Sequence, residues 1–563
     1  MVRAGSDRRP DSHGRAYAAK HYKSPQSKSC TLTPFRLHSK MPCKAISTLL
    51  VVFLLFAGQF VAAHPGANDL PPRRRVTQGQ RTKSLLINPP ALPQLPTADA
   101  VAATDDPLNI DNIQADILAG MHKDKELFFF FSVNDATTFK SKLKSDILPL
   151  ITTTRQILAV NTQPITAAVN IAFSSTGLVT LGVDSTAIGD SDFVAGQFSE
   201  TDTIGDNPSL WNSAFTGTGI HGVFLLASDT IDNINTELAN IQSILGSSIT
   251  EIHRLQGAAR PGSESGHEHF GFMDGIAQPA VNGFTNPVLP GQTSVNAGVF
   301  LLGEQDDPNQ GSRPSWAVDG SFLVFRQLQQ LVPEFNQFLT DHPLDTDTLT
   351  PEQGSELLGA RMVGRWKSGA PVFLSPTADD PELGADRNRN NDFNYLIASD
   401  PAPGTENHFN QTRCPFSAHI RKVHPRGDLD PSVENQHFII RSSIPYGPEV
   451  TNAEAASSTT SVDRGLAFVS YQSNIFNGFV FLQSIWINSV GFPFGKVDPT
   501  VGVDPIIGSL GGGPKNISGL DPAVPCPDAD NCMGQLDVSH DVVLPRGTYA
   551  SITSGPIWGV ISY

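Results

Sequence analysis

The pattern of apolar and polar positions predicts both helices and strands. Apolar residues recur every three or four positions in residues 231–245, which is the spacing of an amphipathic helix. Residues 113–121 carry a shorter stripe of the same kind, whereas the dense aromatic run at residues 127–132 is suited to a buried strand. Further strands are predicted at residues 167–173, 222–227, 299–302, 321–326, 438–441, 465–471 and 542–543. Because strands and helices are mixed rather than strictly alternating, the sequence predicts an α+β fold.

The length of the chain predicts two domains. Its 563 residues exceed a single typical domain, and 39% of them are hydrophobic, which is enough for a sizeable core. The loop-rich stretch at residues 287–314 indicates a joint between two halves. No repeat is visible, although two divergent copies of one fold would leave none. We therefore expect an N-terminal domain at residues 108–310 and a C-terminal domain at residues 311–563.

A targeting signal is predicted inside the chain rather than at its first residue. Lys44 precedes an apolar run at residues 49–56, and small residues follow it up to Ala63, which is the pattern of a secretory signal peptide. The run is too short for a stable membrane span. We predict a signal peptide at residues 41–63 and a gene-model extension at residues 1–40. The mature protein is then expected to be secreted and extracellular, with no membrane contact.

The residues after this signal fit a secreted protein. Residues 64–107 are rich in Pro, Thr and Gln and lack helical or strand periodicity, so we expect a removable pro-segment and linker. Cys526 and Cys532 flank a turn-rich stretch, which predicts a local disulfide in an oxidising compartment. Sequons at Asn410 and Asn516 predict a glycoprotein.

The charge of the chain argues against nucleic acid as a partner. The first 97 residues hold 15 Lys and Arg but only 3 Asp and Glu. The rest therefore holds 24 of the 39 basic and 52 of the 55 acidic residues, a formal charge of −28. Such a body repels nucleic acid. A well-solvated extracellular surface explains this acidity, and a cation-binding patch is the alternative.

Three segments place a reactive polar residue in an unusual setting. Asp274 lies between small and apolar residues, and Gly271 and Gly275 beside it would let the backbone approach a planar ligand closely. A second segment, at residues 414–426, contains two histidines, and a third ends an apolar strand on an arginine. Taken singly, each has an ordinary explanation, namely a turn, a structural histidine and a surface arginine.

Their joint occurrence and order resemble the dye-decolourising peroxidases, of the fungal secreted type. The order is Gly-x-x-Asp-Gly, then Ala-His-Ile-Arg, then a strand-borne Arg ahead of Pro-Tyr-Gly. The resemblance extends to residues 387–393, 465–473 and 504–508, and it covers roughly residue 108 to the C-terminus. It implies two ferredoxin-like domains with antiparallel sheets and peripheral helices, and haem b in the C-terminal half. It also implies that the enzyme reduces hydrogen peroxide and, through a high-valent iron–oxo species, oxidises bulky dyes and phenolic compounds.

The resemblance also implies the residues on the proximal side of the haem. His419 would be the iron ligand, and it is preferred to His424 because it has the Ala-His-Ile-Arg context of the family. Asp504 would orient this histidine, and Arg426 would meet a haem propionate. A carboxylate bonded to the far nitrogen of an imidazole makes it a stronger electron donor to iron.

On the distal side, the resemblance makes Asp274 the acid–base and Arg441 the fixed cation, with Leu466 and Phe468 as pocket walls. Peroxide must lose a proton from one oxygen and regain it on the other, so one base that returns its proton suffices. An aspartate with an ordinary pKa of about 3.9 stays a base in acid, where a histidine is already protonated. We therefore expect an acidic working optimum.

A dye larger than the pocket needs a route for electrons from the surface. Tyr446 and Trp486 are hypotheses for surface oxidation sites, and ordinary packing is the alternative for both. The chain departs from the common family pattern at Ser442, where some relatives carry a second Arg, and this leaves open how substrates enter.

Other classes of function remain open at this point. A non-catalytic haem carrier would need His419 but not Asp274 and Arg441. A secreted binding or structural protein would need none of the three. The triplet at residues 267–269 reads as a pair of metal ligands on a strand, as in a hydrolase, but it lacks a third partner nearby.

Overall fold

In the computed structural model, the described residues are 91–121, 123–160, 163, 165–344, 348–396, 411–496, 501–510, 515–520, 536–538 and 541–553. The predictions for the signal peptide, the Cys526–Cys532 disulfide and the sequon at Asn410 lie outside these residues. Asn516 is exposed. None of the helices in the described ranges is long and apolar enough to span a membrane.

The fold is built around antiparallel strands. The strands of the described residues are β1 Lys125–Val133, β2 Ala168–Phe173, β3 Gly222–Ser228, β4 Ile249–Ala258, β5 Ala280–Val281, β6 Ser294–Val295, β7 Ser321–Gln330, β8 Ile440–Arg441, β9 Ile444–Tyr446, β10 Gly465–Gln472, β11 Lys515–Ile517, β12 Leu536–Val538 and β13 Val543–Thr553.

Each half of the main sheet has the strand order of a ferredoxin-like fold. In the first half the order is β4-β1-β3-β2, and in the second it is β13-β7-β10, followed by β8 and β9. The halves are joined where β2 pairs with β13 and β4 pairs with β9, so the sheet closes into a barrel. All pairs in this barrel are antiparallel. The predicted α+β fold with two ferredoxin-like halves is therefore confirmed, while the exact domain bounds stay predictions.

Helices lie between the strands. They are α1 Ala98–Ala102, α2 Ala115–Leu118, α3 Ala136–Lys142, α4 Thr154–Leu158, α5 Ser175–Thr180, α6 Ser191–Ala195, α7 Thr201–Ile204, α8 Ile231–Leu245, α9 Val332–Asp341, α10 Pro351–Val363, α11 Pro381–Ala385, α12 His419–Val423, α13 Pro431–Glu434 and α14 Asn452–Ser457. Helix α8 has the predicted bounds because its start is capped by the Thr230 side chain and it ends at Gly246, whose φ is +52°.

The aromatic run of β1 forms the centre of the core. Phe128 and Phe130 face Phe325 of β7 across the barrel, with ring centroids 4.9 and 5.1 Å apart. Phe131, on the opposite face of the strand, packs against Phe139 of α3 at 5.7 Å. Both faces of β1 are thus buried, which explains why residues 127–131 are a continuous apolar run instead of alternating.

Three element predictions were wrong or only partly right. Residues 300–302 are buried and Val299 is half-buried, but they do not form a strand, because Val299 ends a 3₁₀ turn, Ala297–Val299, and a further turn follows up to Gly303. The helix predicted at residues 113–121 shrinks to α2, and the strand at 438–441 shrinks to β8. An apolar run indicates that the residues are buried. It does not by itself indicate an extended backbone.

Part of the expected pro-segment, after residue 91, packs against the rest of the fold. Residues 98–102 form α1, where Val101 is 1% exposed, and Thr104 donates a hydrogen bond from Oγ1 to the carbonyl oxygen of Gly283 at 3.4 Å. The lack of periodicity in residues 64–107 therefore did not exclude an ordered, packed stretch after residue 91.

Candidate active site

A cavity of about 250 Å³ collects the residues that the sequence singled out. Most of its lining is apolar. The predicted site residues in the lining are Asp274, His419, Arg426, Arg441, Leu466 and Phe468. Leu466 and Phe468 reach it together because residues two apart on β10 point to the same face of the sheet.

His419 and Asp504 form one pair at the cavity. His419 is the first residue of α12, and its Nδ1 lies 2.7 Å from Oδ2 of Asp504. The other carboxylate oxygen accepts hydrogen bonds from the backbone N–H groups of Ile506 and Ile507, at 2.8 and 3.1 Å. Asp504 is fully buried, and burial raises its pKa, but His419 and these N–H groups together hold it below its ordinary value. Asp504 thus stays an anion that orients the imidazole.

The second nitrogen of His419 is available to a ligand. Its Nε2 has no hydrogen-bond partner among the described residues, and the side chain lines the cavity with 27% of its surface exposed. His424 also lines the cavity, but its Nε2 lies 3.5 Å from Glu434 and not beside Asp504. The contact with Asp504 therefore favours His419 over His424 as an iron ligand.

Asp274 and Arg441 form the second pair. Nη1 of Arg441 donates to Oδ1 of Asp274 at 2.7 Å, and 28% and 32% of the two side chains is exposed. The N–H of Gly275 donates to the same oxygen at 2.6 Å. Burial raises the pKa of Asp274, but the Arg441 guanidinium and this N–H bring it below its ordinary value. The pair therefore presents an ionised carboxylate to the cavity.

Both glycines near Asp274 are required by the backbone conformation. Gly271 has φ +94° and Gly275 has φ +84°, in the left-handed region. A Cβ on Gly271 would meet Lys367 at 3.4 Å, and one on Gly275 would meet Leu92 at 3.6 Å. Gly275 lines the cavity and Gly271 does not, and the close approach of this backbone to a planar ligand stays a prediction.

One wall of the cavity is cationic. Arg426 donates from its guanidinium to the carbonyl oxygen of Phe393 at 2.6 Å and to Oδ1 of Asn391 at 2.6 Å. Burial and the nearby Arg426 lower the pKa of Arg365 to about 9. Within the described ranges, neither guanidinium forms an ion pair with a carboxylate. Tyr395 lines the same wall. Such a wall suits an anionic group of a ligand.

Comparison with known proteins identifies the family. One family model, the DyP dimeric alpha+beta barrel domain, matches residues 112–261, and a second, Dyp-type peroxidase C-terminal, matches residues 269–492. A dye-decolorizing peroxidase of Mycena epipterygia is 76% identical over 503 residues, which are 89% of this chain and 95% of that relative. The chain belongs to the dye-decolorizing peroxidase family.

Other relatives agree. The dye-decolorizing peroxidase AauDyP1 of Auricularia auricula-judae is 50% identical over 510 residues, covering 88% of this chain and 96% of the relative. A crystal structure of a fungal DyP-type peroxidase from the same organism superposes with a TM-score of 0.75 at 49% identity, covering 81% of this chain and 98% of that one. The enzyme is thus a haem peroxidase, an oxidoreductase that acts on peroxide.

The cavity residues of this dye-decolorizing peroxidase fit a haem. Iron in a haem peroxidase takes one imidazole nitrogen, and His419 offers Nε2 because Asp504 occupies Nδ1. The apolar lining suits the porphyrin ring, and the unpaired cations Arg365 and Arg426 suit its carboxylates. Sequence reasoning missed Arg365 and Tyr395. Arg365 lies among apolar and glycine residues, and this setting was the available signal.

Tyr446 and Trp486 are not at the surface, so their prediction as surface oxidation sites is wrong in this respect. They are 3% and 2% exposed. Tyr446 ends β9 inside the sheet, and its hydroxyl donates to Asp463 at 3.0 Å. Trp486 lies in a π-helical turn, Leu482–Ile487, and stacks on Phe492 with centroids 5.0 Å apart. The aromatic residues around Trp486 bury it.

Ser442 points away from the cavity. Its Oγ donates to Oδ1 of Asp116 at 2.8 Å, and Nζ of Lys123 donates to its carbonyl oxygen at 3.0 Å. Neighbouring strand residues face opposite sides of a sheet, so a cavity-facing Arg441 leaves Ser442 facing the core. Ser442 is therefore buried in the core behind Arg441 and is not part of the cavity lining.

The triplet 267–269 is not a pair of metal ligands on a strand. Its residues form a loop in which the Glu268 carboxylate accepts the N–H groups of Phe270 and Phe272, both at 2.8 Å. His269 is buried, and its Nε2 lies 2.9 Å from the carbonyl oxygen of Tyr446. Glu268 thus folds the loop that leads to Asp274.

Proposed function

We propose that this enzyme reduces hydrogen peroxide with Asp274 as the distal acid–base and Arg441 as its fixed cation. The observation that carries the proposal is the 2.7 Å contact between the two side chains in the cavity that His419 also lines. A haem carrier would need His419 alone, and it would have no use for an ionised carboxylate and a guanidinium at the same cavity.

His419 would hold the haem iron through Nε2, with the hydrogen bond from Nδ1 to Asp504 fixing the ring and its tautomer. The bound haem supplies a redox-active iron that binds peroxide and takes up the oxidising equivalents. Haem b is proposed because the cysteines of the chain lack the Cys-x-x-Cys-His spacing of covalent attachment. Arg365, Arg426 and Tyr395 would receive the haem carboxylates.

Asp274 would take the proton from one peroxide oxygen and return it to the leaving oxygen. Its Oδ2 accepts no hydrogen bond from the described residues, whereas Oδ1 is held by Arg441 and Gly275, so one oxygen is free to carry the proton. Arg441 would keep the carboxylate ionised and stabilise negative charge as the oxygens separate. The apolar walls at Leu466 and Phe468 would limit water at this point.

Bulky dyes and phenolic compounds are proposed as reducing substrates, with Trp486 as a buried relay. Rings in contact run from the exposed Phe494 through Phe492 to Trp486, with centroids 5.6 and 5.0 Å apart. Trp486 in turn contacts His437, which lines the cavity, at 5.4 Å. This chain of rings supports electron transfer from a dye that is too large to enter the cavity.

Secretion is proposed from the signal at residues 41–63. Removal of a pro-segment at residues 64–107 is proposed with it, because this stretch follows the signal and is rich in Pro, Thr and Gln.

The test is the absorption spectrum of the haem-loaded enzyme before and after peroxide, for the wild type and for Asp274→Asn. We expect both proteins to show a Soret band. We expect Asp274→Asn to react with peroxide about 10²–10⁴ times more slowly, the usual contribution of a general acid–base. Asp463→Asn is the matched control, because Asp463 is exposed and does not line the cavity. Peroxide reactivity that persists at the wild-type rate in Asp274→Asn would overturn the proposal.

A further inference from the structure

The strand that carries Arg441 is interrupted immediately after it. Strand β8 ends at Arg441 and β9 begins at Ile444. In the gap, the N–H of Val469 donates to Oγ of Ser443 at 3.2 Å and not to a backbone carbonyl. The carbonyl oxygen of Ser442 accepts from Lys123. The N–H of Ser442 still donates to the carbonyl oxygen of Val469 at 2.9 Å, but side chains make the other two hydrogen bonds next to the distal arginine.

Arg441 itself lies at the edge of the sheet. Strand β8 is the last in the strand order and pairs with β10 on one side only. An edge strand leaves backbone N–H and C=O groups without a strand partner. The backbone N–H and C=O of Arg441 therefore need hydrogen-bond partners from outside the sheet.

The side chain of Gln278 bonds both groups. Its Oε1 accepts the N–H of Arg441 at 3.2 Å, and its Nε2 donates to the carbonyl oxygen of Arg441 at 2.6 Å. One side-chain amide therefore makes the two hydrogen bonds that a further strand would make. A primary amide suits this task because it carries a donor and an acceptor side by side.

Gln278 also belongs to the segment that carries Asp274. It follows Asp274 by four residues and lines the cavity. Between them, the carbonyl oxygen of Ala277 accepts from Nη2 of Arg441 at 3.3 Å. The Asp274 segment thus holds Arg441 at its guanidinium and at its backbone, and a shift of the backbone would move the guanidinium off Asp274.

We propose that Gln278 is a positioning residue that keeps the Arg441 guanidinium in contact with Asp274. This inference rests on the proposed function of the Asp274–Arg441 pair. Gln278 acts through the backbone of Arg441 and needs no contact with peroxide. Its amide fixes where the cation lies, because the sheet does not fix the outer edge of β8.

The experiment compares Gln278→Met and Gln278→Glu with the wild type, all loaded with haem. Methionine has a similar volume but removes both hydrogen bonds. Glutamate keeps the acceptor for the N–H of Arg441, but it loses the donor and competes with Asp274 for the guanidinium. Gln256→Met is the matched control, because Gln256 is half-buried and bonds two backbone carbonyls, of Glu126 and Gly257, but does not line the cavity.

The first readout is the affinity of the ferric enzyme for fluoride, measured by absorption, since a cation near the bound anion strengthens it. The second is the rate of reaction with peroxide, and the third is the melting temperature. We expect both Gln278 variants to bind fluoride and to react with peroxide about 10-fold less well or worse. We expect the Soret band to remain and the KM for a small phenol to change little. Gln256→Met should match the wild type in fluoride binding and peroxide rate.

The outcomes separate this inference from the proposed function. If Asp274→Asn reacts slowly but both Gln278 variants behave like Gln256→Met, the positioning role is overturned and the Asp274 proposal stands. If Asp274→Asn itself keeps the wild-type rate, the acid–base role of Asp274 is overturned, and the positioning role of Gln278 is overturned with it. A fall in melting temperature alone, with fluoride affinity and peroxide rate unchanged, would mean that Gln278 serves only stability.

Discussion

Replacing Arg441 with leucine should affect the reaction with peroxide in two distinct ways. The guanidinium contacts Asp274 at 2.7 Å, so its removal takes away the cation that lowers the pKa of that carboxyl. Burial, which raises this pKa and is the largest influence on it, remains. Removal also takes away the charge proposed to stabilise the separating oxygens. The variant should therefore lose rate at every pH and should need a higher pH to reach its own maximum.

The sign and size of both effects can be worked out from the pair. Asp274 acts as a base only when ionised, so the rate falls as the pH drops through its pKa. In the wild type the half-maximal point should lie below 3.8, the ordinary value for an aspartate, and in Arg441→Leu it should lie above it. Loss of one preorganised cation costs about 10²–10³ in rate in a closed site. About 30% of each side chain is exposed to solvent, which favours the lower end of this range.

The assay is stopped-flow mixing of the ferric enzyme with peroxide between pH 2.5 and 7, following the Soret band. Arg441→Lys keeps a charge but not the planar donor fork, so it should keep a half-maximal pH nearer that of the wild type. Arg254→Leu removes an arginine from an exposed ion pair and serves as the remote control. The reasoning is refuted if the half-maximal pH of Arg441→Leu is no higher than that of the wild type.

Three further predictions concern Glu126 in the core, and Asp504 and Trp486 near the site. Burial raises the pKa of Glu126 from 4.5 to about 8, so the folded protein binds a proton on this carboxyl more tightly than the unfolded chain does. The resulting contribution to the free energy of unfolding is complete below pH 4.5 and is lost as the pH rises through about 8. Glu126→Gln should remove that decline, which urea unfolding at several pH values measures, and equal declines in both proteins would contradict it. Asp504→Asn should keep a Soret band but release haem to apomyoglobin about 10–100 times faster, and an unchanged release rate would count against the role of Asp504. Trp486→Phe should slow turnover of a bulky dye but not of a small phenol, whereas Trp366→Phe, another buried tryptophan, should slow neither; equal dye turnover in the two variants would remove Trp486 as a relay.

The sequence predicted the fold well in segments where apolar residues recur at a regular spacing. Helix α8 has an apolar face and a polar face, and it appears with its predicted bounds. Strand β1 is buried on both faces and carries a continuous apolar run at residues 127–131, so a buried strand was also predictable here. By contrast, residues 299–302 are equally apolar but form turns that end at Gly303, whose φ is +81°. Burial alone therefore does not distinguish a strand from a packed turn.

The candidate site was predictable as a set of residues but not as an arrangement. Asp274, His419 and Arg441 stand in motifs whose order indicates the family, and the structure lines one cavity with them. The solvent exposure of a side chain such as Trp486 was not predictable, because it depends on which residues pack against the side chain in the folded protein. Trp486 is buried by Phe492, which follows it on the next loop. For the same reason, the bond from Gln278 to Arg441 joins two segments whose sequences carry no sign of the contact.

Two aspartates at one cavity are suited to different tasks because their surroundings differ. Asp504 is fully buried, and donors hold both of its oxygens: the imidazole of His419 on one, and two backbone N–H groups on the other. A carboxylate bonded on both oxygens resists taking up a proton, and it serves as a fixed charge behind an iron ligand. Asp274 has donors on one oxygen only, and about a third of its side chain is exposed. It keeps its charge through Arg441 but leaves the other oxygen open, which a group that must accept a proton and then release it requires.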